Sequence, residues 1–165
     1  MLARAIAFQQ LSGRAAGTIW SRVIDLVGEV DPHAFAATTH DELRSAGLSN
    51  AKARSLADLS ERTIDGRLDL AATSRMHDDA VVEHLTSVRG IGPWSAQMFL
   101  MFSLGRTDVW PTGDVGVRNG WMRATGTSVT LTPEELGHVG EPFRPYRSVL
   151  AWWCWQEADT RTPGT

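Results

Sequence analysis

Two features of this chain combine residue types and spacing that can do chemistry. The first is the run VRGIGPWSAQMF (residues 88–99). Gly90 and Gly92 stand two apart, Pro93 and Trp94 follow at once, and an apolar segment continues. Glycine permits positive φ and leaves the backbone uncovered on one side. Proline at the first position of a helix forfeits no hydrogen bond. The helix behind the turn therefore opens with exposed N–H groups and the positive end of its dipole, an arrangement that attracts an anion such as phosphate. The carbonyls of Thr86, Val88 and Ile91 in the same turn are neutral oxygen donors suited to a monovalent cation, Na+ or K+. An ordinary αα-hairpin that uses glycine only to turn remains the alternative. The second feature is Asp114 in WPTGDVG, 20 residues after Trp94. On local sequence it reads as the N-cap of a following helix, or as a first-turn acid behind Thr112.

The elements that must position these residues all read as helices. MLARAIAFQQ has helical apolar spacing, and RAAGTIWSRVIDLVG puts Ala16, Ile19, Trp20, Val23 and Val27 on one face before Gly28. Asp31-Pro32 is an N-cap with proline behind it. Thr39 with Glu42, and Thr132 with Glu135, are capping boxes, the second with Pro133 at the first helical position. Ser49 can cap NAKARSLADLSERTI, with Leu48, Leu56, Leu59 and Thr63 inward and a stop at Gly66. HDDAVVEHLTSV, Pro93 to Leu104, a segment starting near Asp114, and Pro145 to Glu157 complete the set. TSVTLT (residues 127–132) is the one candidate strand. The reading is an all-α protein of 165 residues, taken as a single domain (1–165) without internal repeats.

Composition narrows the function. Charged residues are 21% and hydrophobic ones 42%, which favours a packed globular domain over a disordered chain. Cys154 is the only cysteine, so neither an intramolecular disulfide nor a Cys cluster is available, in keeping with a reducing compartment. His33, His40, His77, His84 and His138 lack the spacing of a zinc site. No segment has the length of a membrane span or the form of a signal peptide, so a cytoplasmic protein is expected, nucleoid-associated in a bacterium. Net charge is −3, unpromising for a nucleic-acid binder. The acids crowd residues 25–83, however, while residues 1–24 carry Arg4, Arg14 and Arg22 and no acid.

Taken together, LTSVRGIGPWSAQMFLMFSLGRTDVWPTGDVGVRNG resembles the helix-hairpin-helix, Gly/Pro-rich loop and aspartate signature of the HhH-GPD DNA glycosylase superfamily. Within it the chain is most similar to the 3-methyladenine DNA glycosylase II (alkylation repair) family. AIAFQQLSGRAAGTIWSRV resembles that family's early helix pair, GLSNAKARSLADLSERTIDGRLDL its middle helices, and FRPYRSVLAWWCW its closing helix. The resemblance runs over roughly residues 2–157 in the family's order. The chain opens almost on the QQ motif, where the family normally has a further N-terminal helix and in some members a β-domain.

The resemblance implies a helical bundle of two lobes with a helix-hairpin-helix motif and an active-site cleft between the lobes. It implies a base-excision-repair enzyme acting as a monomer on double-stranded DNA that contains damaged bases, with no membrane partner and no cofactor beyond the Na+ or K+ at the hairpin. Asp114 would be the catalytic carboxylate, stabilising the positive charge that develops on the sugar as the N-glycosidic bond breaks and guiding the attacking water. Lyase members carry at the place of Trp94 a lysine that forms a Schiff base. Here the only lysine is Lys52, in an exposed-looking segment, so a monofunctional glycosylase that leaves an abasic site is implied. Trp94, Met98 and Trp155 match base-pocket positions, where aromatic walls stack a flipped, electron-poor base. Trp20, Trp121 and at least one of Trp152 and Trp153 are expected to pack the core. Gly90, Gly92, Ser95 and Arg89 would meet the DNA backbone, with Arg14 and Arg118 as further phosphate contacts. Gln10, with Leu11 beside it, falls where superfamily members insert a wedge. A non-catalytic helix-hairpin-helix DNA-binding module and a purely structural helical domain are the competing readings.

Overall fold

The computed structural model describes residues 1–159, and among them ten α-helices are found and no strand. They are α1 (Leu2–Phe8), α2 (Gly13–Val27), α3 (Pro32–Ala37), α4 (His40–Ser45), α5 (Asn50–Ile64), α6 (Asp78–Thr86), α7 (Pro93–Phe102), α8 (Val115–Thr125), α9 (Pro133–Gly140) and α10 (Arg147–Asp159). The all-α expectation holds. TSVTLT does not form a strand but runs irregularly into α9; with no other strand to pair with, an extended segment gains no ladder.

Most of the expected caps are made. Asp31 accepts the His33 and Ala34 amides at the head of α3, and Ser49 accepts the Lys52 amide at the head of α5. Both capping boxes close, Thr39 with Glu42 and Thr132 with Glu135. The last helix starts at Arg147, later than Pro145, and α7 stops at Phe102, short of Leu104.

The chain divides into two compact units, Met1–Phe99 and Leu100–Thr165. In the first, α5 is the central strut. It packs against α1, α3 and α4 and buries Ala53, Leu56 and Leu59, while the α1–α2 pair buries Leu2, Ile6, Ala7, Ala16 and Val23. In the second, α8 lies along α10. Trp110, Val117, Leu136, Ala151 and Cys154 form its core, with Trp121 and Trp155 packed against it half-buried.

One expectation about this second core fails. Trp152 and Trp153 both point outward, 49% and 62% exposed, while the small Ala151 and Cys154 face inward. The reason is how closely α8 approaches: a Cβ on Gly120 would run into the backbone of Cys154. No large ring fits at that contact. The bulky indole that is buried instead is Trp110, whose Nε1–H donates to the Leu136 carbonyl at 2.7 Å. Burial pushes the Cys154 thiol up to about 11, so it stays protonated and unreactive at neutral pH.

Candidate active site

In the first unit the hairpin joins α6 to α7. Gly90 takes φ +77°, and Gly92 does not enter the positive range. Two different constraints explain the spacing. A Cβ on Gly90 would collide with Ser55 Oγ on α5, whereas one on Gly92 would meet nothing within 4 Å. Gly90 is thus required by the fold, and Gly92 leaves a bare stretch of backbone in front of α7. That helix begins at Pro93, with the Ala96 N–H bonded back to the Gly92 carbonyl at 3.1 Å.

Side chains from distant elements hold this turn. Gln9, at the end of α1, donates from Nε2 to the Gly90 carbonyl at 2.9 Å. Asp58 on α5 accepts the Arg89 N–H at 2.7 Å through Oδ2 and Arg62 Nε at 2.9 Å through Oδ1. Partial burial raises the Asp58 carboxyl, but the Arg89 amide and the Arg62 guanidinium outweigh it and hold the group below its usual range. Lys52, one turn before Ser55, corrects its exposed-looking segment. Its Nζ is partly buried and donates to the Ala7 carbonyl at 2.8 Å, and that burial lowers its pKa. Lys52, Ser55 and Asp58 therefore make one polar edge of α5 that secures both the end of α1 and the hairpin. Apart from the Asp58–Arg62 pair, one helical turn apart, these bonds have no local sequence signal, because each joins positions 31 to 81 residues apart.

The turn after α1 is strained. Gln10 has φ +57° and is exposed, as is Leu11; a non-glycine residue there costs on the order of 1–2 kcal/mol. Gln9, Gln10 and Phe8 line a pocket of about 460 Å³ with Trp94, Ser95 and Met98, within the range of small-molecule sites, roughly 300–1,000 Å³. Trp94 is half-exposed and forms an open wall, while Ser95 and Met98 are buried. Arg14 and Arg89 are exposed; Arg118 is half-buried, with its Nε enclosed and without a hydrogen-bond partner.

For the hairpin cation, the donors at Thr86, Val88 and Ile91 are all backbone oxygens. Among the described residues no cluster of His, Cys, Asp or Glu could hold a metal. The Val88 carbonyl already accepts the Ile91 N–H at 3.1 Å, which leaves it one further lone pair. A neutral set of this kind suits a weakly held alkali cation, not a divalent one.

In the second unit Asp114 caps α8, as its local sequence suggests. Its Oδ1 accepts the Val117 N–H at 2.8 Å and the Trp155 indole N–H at 3.0 Å. The loop before it is fixed at several points. Trp110 is buried, and Ser148 Oγ donates to the Arg106 carbonyl and accepts the Val109 N–H. Asp108 is paired with Arg147 at 2.6 Å and with Arg144 at 2.7 Å. Burial raises the Asp108 carboxyl, but the two guanidiniums outweigh it and keep it low. Trp155 is half-buried with its ring 6.1 Å from Phe102. The structure thus joins Trp94, Ser95, Met98 and Gln10 in one pocket, and Asp114 to Trp155.

Residues 3–145 match the family described as HhH-GPD superfamily base excision DNA repair protein. This chain belongs to that superfamily. Within it, the chain is 31% identical to DNA-3-methyladenine glycosylase 1 of Schizosaccharomyces pombe over 94% of its own length and 70% of that protein's. The solved DNA-3-methyladenine glycosidase of Bacillus halodurans superposes with a TM-score of 0.89 at 37% identity, covering 96% of this chain and 74% of that one. A 3-methyladenine DNA glycosylase of S. pombe, solved in complex with abasic DNA, gives 0.83 at 32% identity, covering 94% and 77%. This HhH-GPD protein is a DNA glycosylase of base excision repair, a hydrolase that binds DNA. No helix among its described residues is long and apolar enough to cross a membrane.

Proposed function

We propose that this glycosylase is monofunctional and removes alkylated purines from double-stranded DNA by hydrolysis, with Asp114 as its catalytic carboxylate. The observation that carries the reading is the Asp114 side chain, oriented by two donors on one oxygen at the head of a helix. A fixed carboxylate suits a reaction in which positive charge develops on the sugar and dipoles set in advance lower the barrier. The C1′–N bond breaks, its electron pair leaves with the purine, and water adds to C1′, giving up a proton. An alkylated purine starts positively charged and leaves neutral, so it departs readily.

The pocket lined by Trp94 and Met98 would take the flipped base, where an aromatic face attracts a cationic ring. Gln10 and Leu11, exposed at a strained turn, suit insertion into the gap it leaves. The bare backbone at Gly90 and Gly92 and the start of α7 would hold one phosphate, with Ser95 and Arg89 supplementing it, and Arg14 and Arg118 would each contact a phosphate of their own. A cation held by Thr86, Val88 and Ile91 would add positive charge beside that phosphate. Trp94 supplies no amine, and Lys52 is engaged at Ala7, so no Schiff base is expected. The protein acts as a monomer in this reading.

The test is base release from alkylated and deaminated duplexes by wild type and Asp114→Asn. The variant should lose about a thousandfold or more in rate, roughly 4 kcal/mol, with DNA affinity held within about threefold. Near-normal turnover in Asp114→Asn would overturn the assignment, and a borohydride-trapped adduct would overturn the hydrolytic route. DNA binding with no release from any substrate would favour a non-catalytic module.

A further inference from the structure

Two glycines on α8, Gly116 and Gly120, lie one turn apart on the face toward α10. Both have ordinary helical backbones, outside the positive-φ set, so neither is needed for conformational freedom. What each provides is space. At Gly120 the space is taken by the Cys154 backbone. At Gly116 it is taken by a functional contact: a Cβ there would stand 2.8 Å from Trp155 Cδ1, 3.0 Å from Asp114 Oδ1 and 3.2 Å from Trp155 Nε1. It would wedge against both ends of the bond between the indole and the carboxylate.

We propose that Trp155 and Gly116 are positioning residues for the glycosylase reaction: Trp155 fixes the Asp114 carboxylate through its indole N–H, and Gly116 is the gap that lets the indole reach it. The inference rests on the reading of Asp114 as the catalytic group. The terminal torsion of an aspartate is broad and roughly two-fold, so one donor restrains it only loosely. The Val117 amide reaches Oδ1 from within α8 and the indole reaches the same atom from α10. Two donors on one oxygen set the plane of the carboxylate. A misplacement of about an ångström at a reacting group costs on the order of a hundredfold. The indole is itself held, half-buried, against Phe102 with the rings tilted by 30°.

The test compares Trp155→Phe, Gly116→Ala and their combination with Asp114→Asn, measuring single-turnover base release, affinity for abasic DNA and melting temperature. Trp155→Phe keeps a ring and removes the donor. It should lower the rate constant at saturating enzyme by roughly 30- to 100-fold, with abasic-DNA affinity within about threefold. Gly116→Ala should lower the same rate comparably while the melting temperature stays within roughly 3 °C, because alanine favours the helix more than glycine does. Both substitutions break one bond, so the double variant should be no slower than the worse single one. Three results would overturn the proposal: a wild-type rate in Trp155→Phe beside an inactive Asp114→Asn, a loss confined to DNA affinity, or rate losses that multiply in the double variant. An active Asp114→Asn would instead remove the reading of Asp114 on which the proposal stands.

Discussion

The hairpin of the first unit and the head of α8 in the second are built on opposite plans. At the hairpin the groups proposed to meet DNA are backbone, and distant side chains hold them: Gln9 on the Gly90 carbonyl, Asp58 on the Arg89 amide, Ser55 packed beneath Gly90. At α8 the proposed catalytic group is a side chain, that of Asp114, held by a backbone amide and an indole. Glycine serves both plans for different physical reasons. Gly90 supplies a left-handed φ over a tight floor, Gly92 supplies bare backbone, and Gly116 and Gly120 supply clearance between helices. Alanine at each position separates those reasons, since one methyl meets a different obstacle every time.

The largest effect on stability is expected at Gly120. Its methyl would overlap main chain, which cannot swing aside as a side-chain tip can. Overpacking of this kind costs about 3 kcal/mol, of which the better helix propensity of alanine returns less than 1. Gly120→Ala should therefore lose about 2–3 kcal/mol in urea unfolding and melt roughly 4–12 °C lower. An unchanged melting temperature would mean that α8 and α10 separate easily, and with them the Trp155–Asp114 bond.

Gly90→Ala comes next, at about 2 kcal/mol, and its cost has two parts. The left-handed backbone accounts for about 1 kcal/mol, and the contact with Ser55 for the rest. Placing Gly90→Ala in a Ser55→Ala background removes the hydroxyl but not the φ. The penalty measured by urea unfolding should then fall to about 1 kcal/mol. If it does not fall, the hairpin rests on its own backbone geometry and α5 is not its floor.

How far these plans show in the sequence follows from the same physics. Helix starts are legible because a cap is a bond between near neighbours: Asp31, Thr39, Ser49 and Thr132 each close on a residue two or three positions on. The hairpin glycines and Asp114 are legible as types in a pattern. What each does is not, because Ser55, Asp58 and Trp155 reach their partners across 31 to 41 residues and no periodicity encodes that. The reversal at Trp152 and Trp153 has a similar cause. α10 carries apolar residues on every side, so its pattern names no inward face. The choice is made by Gly120 on another helix, which lets α8 close onto the Cys154 backbone and leaves room there only for small residues. Lys52 looks exposed in sequence because its acceptor is a main-chain carbonyl on α1, and carbonyls leave no mark in a residue pattern.

Gly92 should show the smallest effect on the fold and the cleanest one on DNA. Its φ lies outside the positive range and nothing stands within 4 Å of where a methyl would go. Gly92→Ala should therefore leave unfolding unchanged within about 0.5 kcal/mol. If the bare backbone before α7 holds a phosphate, the same methyl would stand between the two and weaken binding to abasic DNA about tenfold, roughly 1.4 kcal/mol. The slope of affinity against salt should stay the same, because no charge is removed. Full DNA affinity in a stable Gly92→Ala protein would place the phosphate elsewhere. It would also reduce the hairpin to the glycine turn that its sequence alone could not exclude.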